Sequence, residues 1–279
     1  MSMIGGEAVE DIEVDLLLEG ILRRYGYDFR DYARPGLRRR LDLFLTESDA
    51  VTYLDMAARI LRDRAAFHHL LSCFSVSFTS LFRDPEVYRA LRHQVIPLLR
   101  TWPTCKVWHA GCATGEEVYS FGILLREAGL LPRTTVYATD INESGLRTTA
   151  EGIYALNVLR QGTKAYHAAG GEGALSDHYH AYYGAAVMAQ DLRGAVTTAR
   201  HNLAMDSSFG EMQVVFCRNV MIYFNDSLRE HVLELLWESL CYGGFLCLGD
   251  SERLAFSSVA DRFECLDDAA RIYKKKVSP

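Results

Sequence analysis

No C-x-x-C pair occurs in this chain, although it holds seven cysteines: Cys73, Cys105, Cys112, Cys217, Cys241, Cys247 and Cys265. An odd, scattered set reads as reduced thiols rather than a disulfide framework or a zinc ribbon. His178 and His180 are spaced as one strand could present two ligands, yet no third ligand is near in sequence, so no metal is expected. No apolar run approaches the roughly 20 residues that span a bilayer. The first residues lack the basic and apolar regions of a signal peptide, and a cytoplasmic location is expected. Positive charge is not in excess. A formal net charge of -6 argues against a general nucleic-acid binder. There is no internal repeat, no low-complexity tract and no Ser-His-Asp or Cys-His arrangement for nucleophilic catalysis.

What is present is a strand-turn-helix signature at Lys106–Ser120, K-V-W-H-A-G-C-A-T-G-E-E-V-Y-S. An apolar run ends at Ala110, small residues fill Gly111–Gly115, and an apolar helical run, Tyr119–Leu125, follows two acids. This is the first βα unit of a nucleotide-binding α/β domain. A Cβ at Gly111 or Gly115 would hold the backbone away from a ligand. The spacing is not G-x-G-x-x-G and no Lys-Ser or Lys-Thr follows, which excludes a P-loop. Acids at the helix start suit a ligand without phosphates and with positive charge. S-adenosylmethionine fits, with its sulfonium, adenosine and amino-acid head. Thr135–Asp140, T-V-Y-A-T-D, then ends a second strand on an acid. Asp140 can accept the ribose hydroxyl protons, or it can cap the next helix as part of Asp140-Ile141-Asn142-Glu143.

Residues 1–76 read as a helical N-terminal domain. Val14, Leu17, Leu18, Ile21 and Leu22 form one helical stripe, and Pro35-Gly36 separates it from a second helical pattern at Leu37, Leu41, Phe44 and Leu45. Residues 77–279 alternate strand and helix, so a parallel sheet is expected. A helix runs over Glu86–Leu99. Strands fall at Val107–Ala110, Val136–Ala138, Val196–Ala199, Val214–Cys217 and Phe245–Leu248, and Phe263–Leu266 with Ile272–Lys275 form a closing antiparallel hairpin. Residues 162–195 break the rhythm and read as a small inserted β-subdomain of two or three short strands.

Five pieces of the chain, in order, resemble the chemotaxis receptor methyltransferases, the CheR family. These are the T-x-x-F-R-D of Thr79–Asp84, Ala110–Glu117, the A-T-D of Ala138–Asp140, the H-N-L of His201–Leu203 and F-C-R-N-V-M-I-Y-F at Phe216–Phe224. The G-x-D-F…Y…R-R of Gly26–Arg39 and the L-G-D-S-E of Leu248–Glu252 agree. The resemblance implies an α/β, Rossmann-like class I methyltransferase domain with an all-helical N-terminal domain and a small β-subdomain. It implies methyl transfer from S-adenosylmethionine, leaving S-adenosylhomocysteine, to glutamate carboxylates of membrane chemoreceptors.

Carried over by residue, the resemblance places Ser77, Thr79 and Arg83 at the amino-acid end of the cofactor or at the methyl site. Gly111 lies in the turn, Glu117 with Glu116 takes the ammonium group, and Asp140 takes the ribose. Asn202 and Leu203 frame the adenine, and Arg218 with Asn219 closes the pocket near the methyl. Tyr223, with Arg83, is the candidate catalytic group, orienting the incoming carboxylate. Four positions depart from the family pattern: Ser77, Leu81, His109 and Val118. Arg23, Arg24, Arg38, Arg39 and Arg40 are read as a face for the acidic helical cytoplasmic region of a receptor. The alternatives are a carboxyl methyltransferase with a non-chemotaxis substrate, and a regulatory module that has kept the pocket and lost transfer.

Overall fold

The computed structural model describes residues 8–74, 79–255 and 257–277. Two compact units emerge, both discontinuous in sequence: helices α1–α4 cluster with the later segment Tyr223–Arg229, and Ser77–Ile222 with Glu230–Pro279 form the second unit.

In the helical unit α1 is Val9–Tyr25, α2 Arg34–Glu47, α3 Tyr53–Arg62 and α4 Arg64–Phe74. The stripe expected on α1 is the buried face, with Val14, Leu17, Leu18 and Ile21 in the core. Pro35 sits in the first turn of α2, where its missing N–H costs nothing. Thr52 and Asp55 close a reciprocal capping box that starts α3. An aromatic cluster fills the centre, with Tyr25 stacked on Phe67 at 3.8 Å and Phe29 set edge-on to Tyr32 and Phe74.

In the second unit, α5 (Pro85–Ala90) and α6 (Ile96–Leu99) are joined by a π-type turn over Leu91–Val95. The continuous helix expected over Glu86–Leu99 is therefore interrupted. Pro97 cannot donate to the ladder, and Ile96 N–H instead reaches Leu91 O, five residues back. The strands are β1 (Cys105–Ala110), β2 (Thr134–Asp140), β3 (Ile153–Ala155), β4 (Tyr179–Tyr182), β5 (Ala185–Met188), β6 (Val196–Arg200), β7 (Met212–Cys217), β8 (Leu240–Leu248), β9 (Phe263–Asp267) and β10 (Ile272–Lys275). Helices α7 (Glu116–Glu127), α8 (Glu143–Glu151), α9 (Leu156–Ala168), α10 (Gln190–Gly194) and α11 (Asp226–Glu238, which belongs to this unit from Glu230 on) connect them.

The main sheet has seven strands in the order β6-β2-β1-β7-β8-β10-β9. Strands β6, β2, β1, β7 and β8 run parallel, and β10 pairs antiparallel with both β8 and β9. Strand order reverses between β1 and β7, and in such sheets a crevice opens beyond the carboxyl ends at that point. Strand β1 is buried apart from Lys106, as a strand covered on both faces must be.

The small subdomain is a three-stranded sheet, β3-β5-β4, paired antiparallel throughout. Its limits differ from the expected 162–195. Strand β3 lies earlier, just after Gly152 (φ +61) ends α8, and residues 162–168 belong to α9. The three-residue β3 is too short to show a two-residue period in sequence.

Candidate cofactor site at the glycine turn

Strand β1 delivers the chain into a turn at Gly111–Gly115, and α7 begins immediately after it. Gly111 has φ +77 and Gly115 φ +91, both in the left-handed region. Their need for glycine also has an origin within the protein itself. A Cβ on Gly111 would stand 2.5 Å from Val220 Cγ2, and one on Gly115 would stand 2.6 Å from Thr149 Oγ1. The turn is packed against the protein's own side chains, so any Cβ there collides before a ligand is considered. Ala113 also has positive φ, as do Phe82, Asp84 and Asn219. Non-glycine residues in this region carry strain of order 1–3 kcal/mol each and tend to gather at functional sites.

Asp140, at the end of β2, braces this turn. Its Oδ2 accepts from Ala113 N–H and its Oδ1 from Asn142 N–H, each at 2.9 Å. Burial pushes the Asp140 carboxyl up, and the backbone donors oppose that shift. The cap of α8 is Asn142, which accepts from Ser144 N–H at 3.0 Å. The capping alternative thus falls on Asn142. Ile141 N–H also acts on the Asp140 carboxylate, and the two oxygens together still have acceptor capacity for a ribose hydroxyl.

Glu117, in the first turn of α7, is the hub of a part-buried charge chain. Its Oε1 lies 3.0 Å from His109 Nδ1, and its Oε2 accepts from Arg218 Nη1 at 3.1 Å. Arg218 Nη2 donates in turn to Asp84 Oδ2 at 2.7 Å. The Arg218 side chain is only 2% exposed. Burial alone would push the Glu117 carboxyl up, but the His109 hydrogen bond and the Arg218 charge outweigh it and hold the group below the ordinary carboxylate range. Glu117 is therefore an anion at neutral pH. His109 is fully buried and stacked on Phe216 at 4.4 Å, with its Nε2 lacking a hydrogen-bond partner among the described residues.

The other expected residues divide into groups. Glu116 is buried and accepts from Thr114 Oγ1 at 2.7 Å, and burial pushes its carboxyl up. It shapes the turn beside Glu117 rather than sharing Glu117's ion pairs. Asn202 builds its own turn, its Oδ1 accepting from Ala204 N–H at 3.0 Å, and Leu203 is buried beside it. Arg83 is part-exposed, with Nε 3.9 Å from Asp84 Oδ2. Thr79 is part-buried, and Ser77 lies outside the described residues. Tyr223 groups with the helical unit, where the Arg40 guanidinium sits 3.9 Å over its ring and Ala33 N–H donates to its carbonyl.

That last contact corrects the expected arginine face. Arg40 is 4% exposed and cannot present its charge to a partner. Arg23, Arg24 and Arg39 are exposed, while Arg38 is half-buried and pairs with Asp11 at 2.5 Å. Helical periodicity explains the split, because three consecutive residues on α2 span some 200° and one must turn inward. His178 is buried against Glu127, and His180 is exposed.

Two acids missed as site residues close motifs already visible in the sequence, Asp84 at the end of Thr79–Asp84 and Glu252 at the end of Leu248–Glu252. Glu252 is buried and accepts four backbone N–H donors, from Gly249, Asn219, Val220 and Met221, at 2.7–2.9 Å. It holds the turn that carries Arg218 and Asn219. The signal was an acid closing each motif, which sequence alone could not connect to a partner.

A doubly wound sheet with a glycine turn after β1 and acids beyond β1 and β2 defines a Rossmann-like, class I methyltransferase domain. Its donor set is anionic and free of phosphate-binding lysines, which fits a cationic sulfonium cofactor. Comparison with known proteins agrees. Residues 77–272 match the CheR methyltransferase SAM binding domain, and residues 12–75 match the CheR methyltransferase all-alpha domain. A Pseudomonas putida protein named Cher3 is 48% identical over 265 residues, covering 95% of this chain and 97% of that one. Chemotaxis protein methyltransferases of Listeria monocytogenes and Vibrio parahaemolyticus are 26% and 28% identical, over 88% and 86% of this chain and 92% and 88% of their own. The chain belongs to the CheR methyltransferase family and is an S-adenosylmethionine-dependent methyltransferase. No described helix is long and apolar enough to cross a membrane.

Proposed function

We propose that this enzyme methylates glutamate side-chain carboxylates on the acidic, helical cytoplasmic region of a membrane chemoreceptor, and so works in the cytoplasm. The observation that carries the reading is the His109–Glu117–Arg218–Asp84 chain beside the glycine turn, with His109 and Arg218 buried. It keeps Glu117 ionised and oriented, as a contact to an ammonium group requires. Relatives named as chemotaxis protein methyltransferases support the substrate class.

S-adenosylmethionine, when bound, supplies an electrophilic methyl group. Glu117 would hold its ammonium, Asp140 its ribose, and Asn202 with Leu203 its adenine, and the Gly111 turn would lie along it. Arg218 and Asn219, fixed by Glu252, would border the methyl. A substrate glutamate is already ionised at neutral pH, so no general base is needed. What this chain must do is place the carboxylate and exclude water, which strengthens every charge interaction in the site. Arg83 is the candidate to receive the carboxylate from this unit, and Tyr223 is a candidate on the strength of the family motif. Exposed Arg23, Arg24 and Arg39 offer planar donors to acidic receptor helices.

The test is methyl-labelled S-adenosylmethionine with the purified protein and membranes from the same cell. Base-labile label on a receptor-sized band is expected. Label stable to mild base would point to another acceptor chemistry. Cofactor binding with no transfer would favour a regulatory module.

A further inference from the structure

Within the helical unit, three side chains of metal-ligating type converge. Glu47 is the last residue of α2, and His69 and Cys73 stand one turn apart on α4. One ligand atom from each, a carboxylate oxygen, an imidazole nitrogen and the Cys73 Sγ, lies within 4.8 Å of both others. The His-x-x-x-Cys spacing puts two donors on one helix face. Phe44, one turn before Glu47, packs on the His69 ring at 5.2 Å between centroids, and His69 Nε2 stands 3.8 Å from Glu47 Oε2.

We infer that Glu47, His69 and Cys73 form a binding site for a single thiophilic divalent cation of the zinc class. A tetrahedral zinc ion with bonds of about 2.0–2.3 Å sets its ligand atoms roughly 3.3–3.8 Å apart. The observed spacing needs up to about 1.5 Å of closure, which rotation of the exposed Glu47 and His69 side chains supplies. A thiol with an imidazole selects zinc, or cobalt as its probe, over calcium or magnesium, which require oxygen ligands. Three protein ligands leave the fourth position to water. The ion would clamp the end of α2 to α4, using ligands that in sequence are 22 and 4 residues apart and so suggest no motif. The site is independent of the methyl-transfer reading.

The full chain, reduced and freed of metal, is titrated with cobalt(II) and followed by its thiolate charge-transfer and visible bands, with zinc then added as competitor. One equivalent of cobalt is expected to develop a tetrahedral, thiolate-ligated spectrum that zinc abolishes. Cys73→Ser should remove the charge-transfer band, and His69→Gln and Glu47→Gln should each weaken binding at least about tenfold. Circular dichroism checks that each variant is folded, and three independent variants keep the test open if one is not. The proposal is overturned if the parent gives no band. It is equally overturned if any folded variant titrates as the parent does, since the altered side chain would then not be a ligand.

Discussion

His109 Nδ1 lies 3.0 Å from Glu117 Oε1, inside the core and at the carboxyl end of the central strand. The histidine is fully buried, so this contact sets the rotamer of the acid proposed to meet the cofactor's ammonium. His109 is one of the positions where this chain departs from its family's pattern. Its ring fills space against Phe216 as well as bonding to the acid.

Glu117→Gln should weaken S-adenosylmethionine binding by about 10- to 100-fold, the equivalent of about 1.5–3 kcal/mol for a lost charged hydrogen bond. His109→Ser should cost less, about fivefold, because Arg218 still orients the acid. Calorimetric titration of both variants against the parent measures this. Parent-like affinity in Glu117→Gln would remove the proposed ammonium contact.

Glu252→Gln should unfold at lower denaturant, by about 2–4 kcal/mol, because an amide NH2 then faces backbone donors and leaves them unsatisfied. The same variant should lose turnover more than cofactor affinity, since Asn219 and Met221 rest on that carboxylate. Chemical denaturation and separate kcat and KM measurements would report both effects. A variant as stable as the parent contradicts the role.

Acid sensitivity should trace in part to Glu127. Burial would raise its carboxyl, but hydrogen bonds from His178 and Tyr166 and the Arg92 charge hold it at about 2 in the folded chain, against 4.5 ordinarily. A depressed folded value means the unfolded chain takes up the proton first, so stability is fully present above about pH 4.5 and declines as pH falls towards 2. Parent and Glu127→Gln should differ by at most about 3 kcal/mol at pH 7, with the gap closing below pH 4. A gap that does not change between pH 7 and pH 3 would rule this out.

Arg40 and Arg39 should separate cleanly. Arg40→Ala removes a buried guanidinium stacked on Tyr223 and should lower stability by about 1–3 kcal/mol, whereas Arg39→Ala should stay within about 0.5 kcal/mol. Combined Arg23→Ala, Arg24→Ala and Arg39→Ala should raise the KM for receptor membranes and leave cofactor affinity unchanged. Thermal melts and methylation kinetics distinguish the two sets, and unchanged receptor kinetics in the triple variant would dismiss the arginine face.

Legibility in the sequence followed the range of each interaction. Strands β1, β2 and β7 and helix α7 were readable because apolar period and turn chemistry are local properties. The π turn at Leu91–Val95 was hidden behind a pattern that a plain helix satisfies equally well, and β3 was too short to register.

Local sequence determined that this chain would build a glycine turn between a buried strand and an acidic helix start, with a second acid one βα unit later. That was enough to specify the cofactor class, because backbone geometry and charge at such a turn depend on neighbouring residues. Only tertiary structure decided which groups share each acid. Arg218 meets Glu117 across 101 positions, and Glu252 meets Asn219 across 33. Strand order creates these contacts, and a carboxylate's partner is set by where the sheet brings it, not by what stands beside it in the chain.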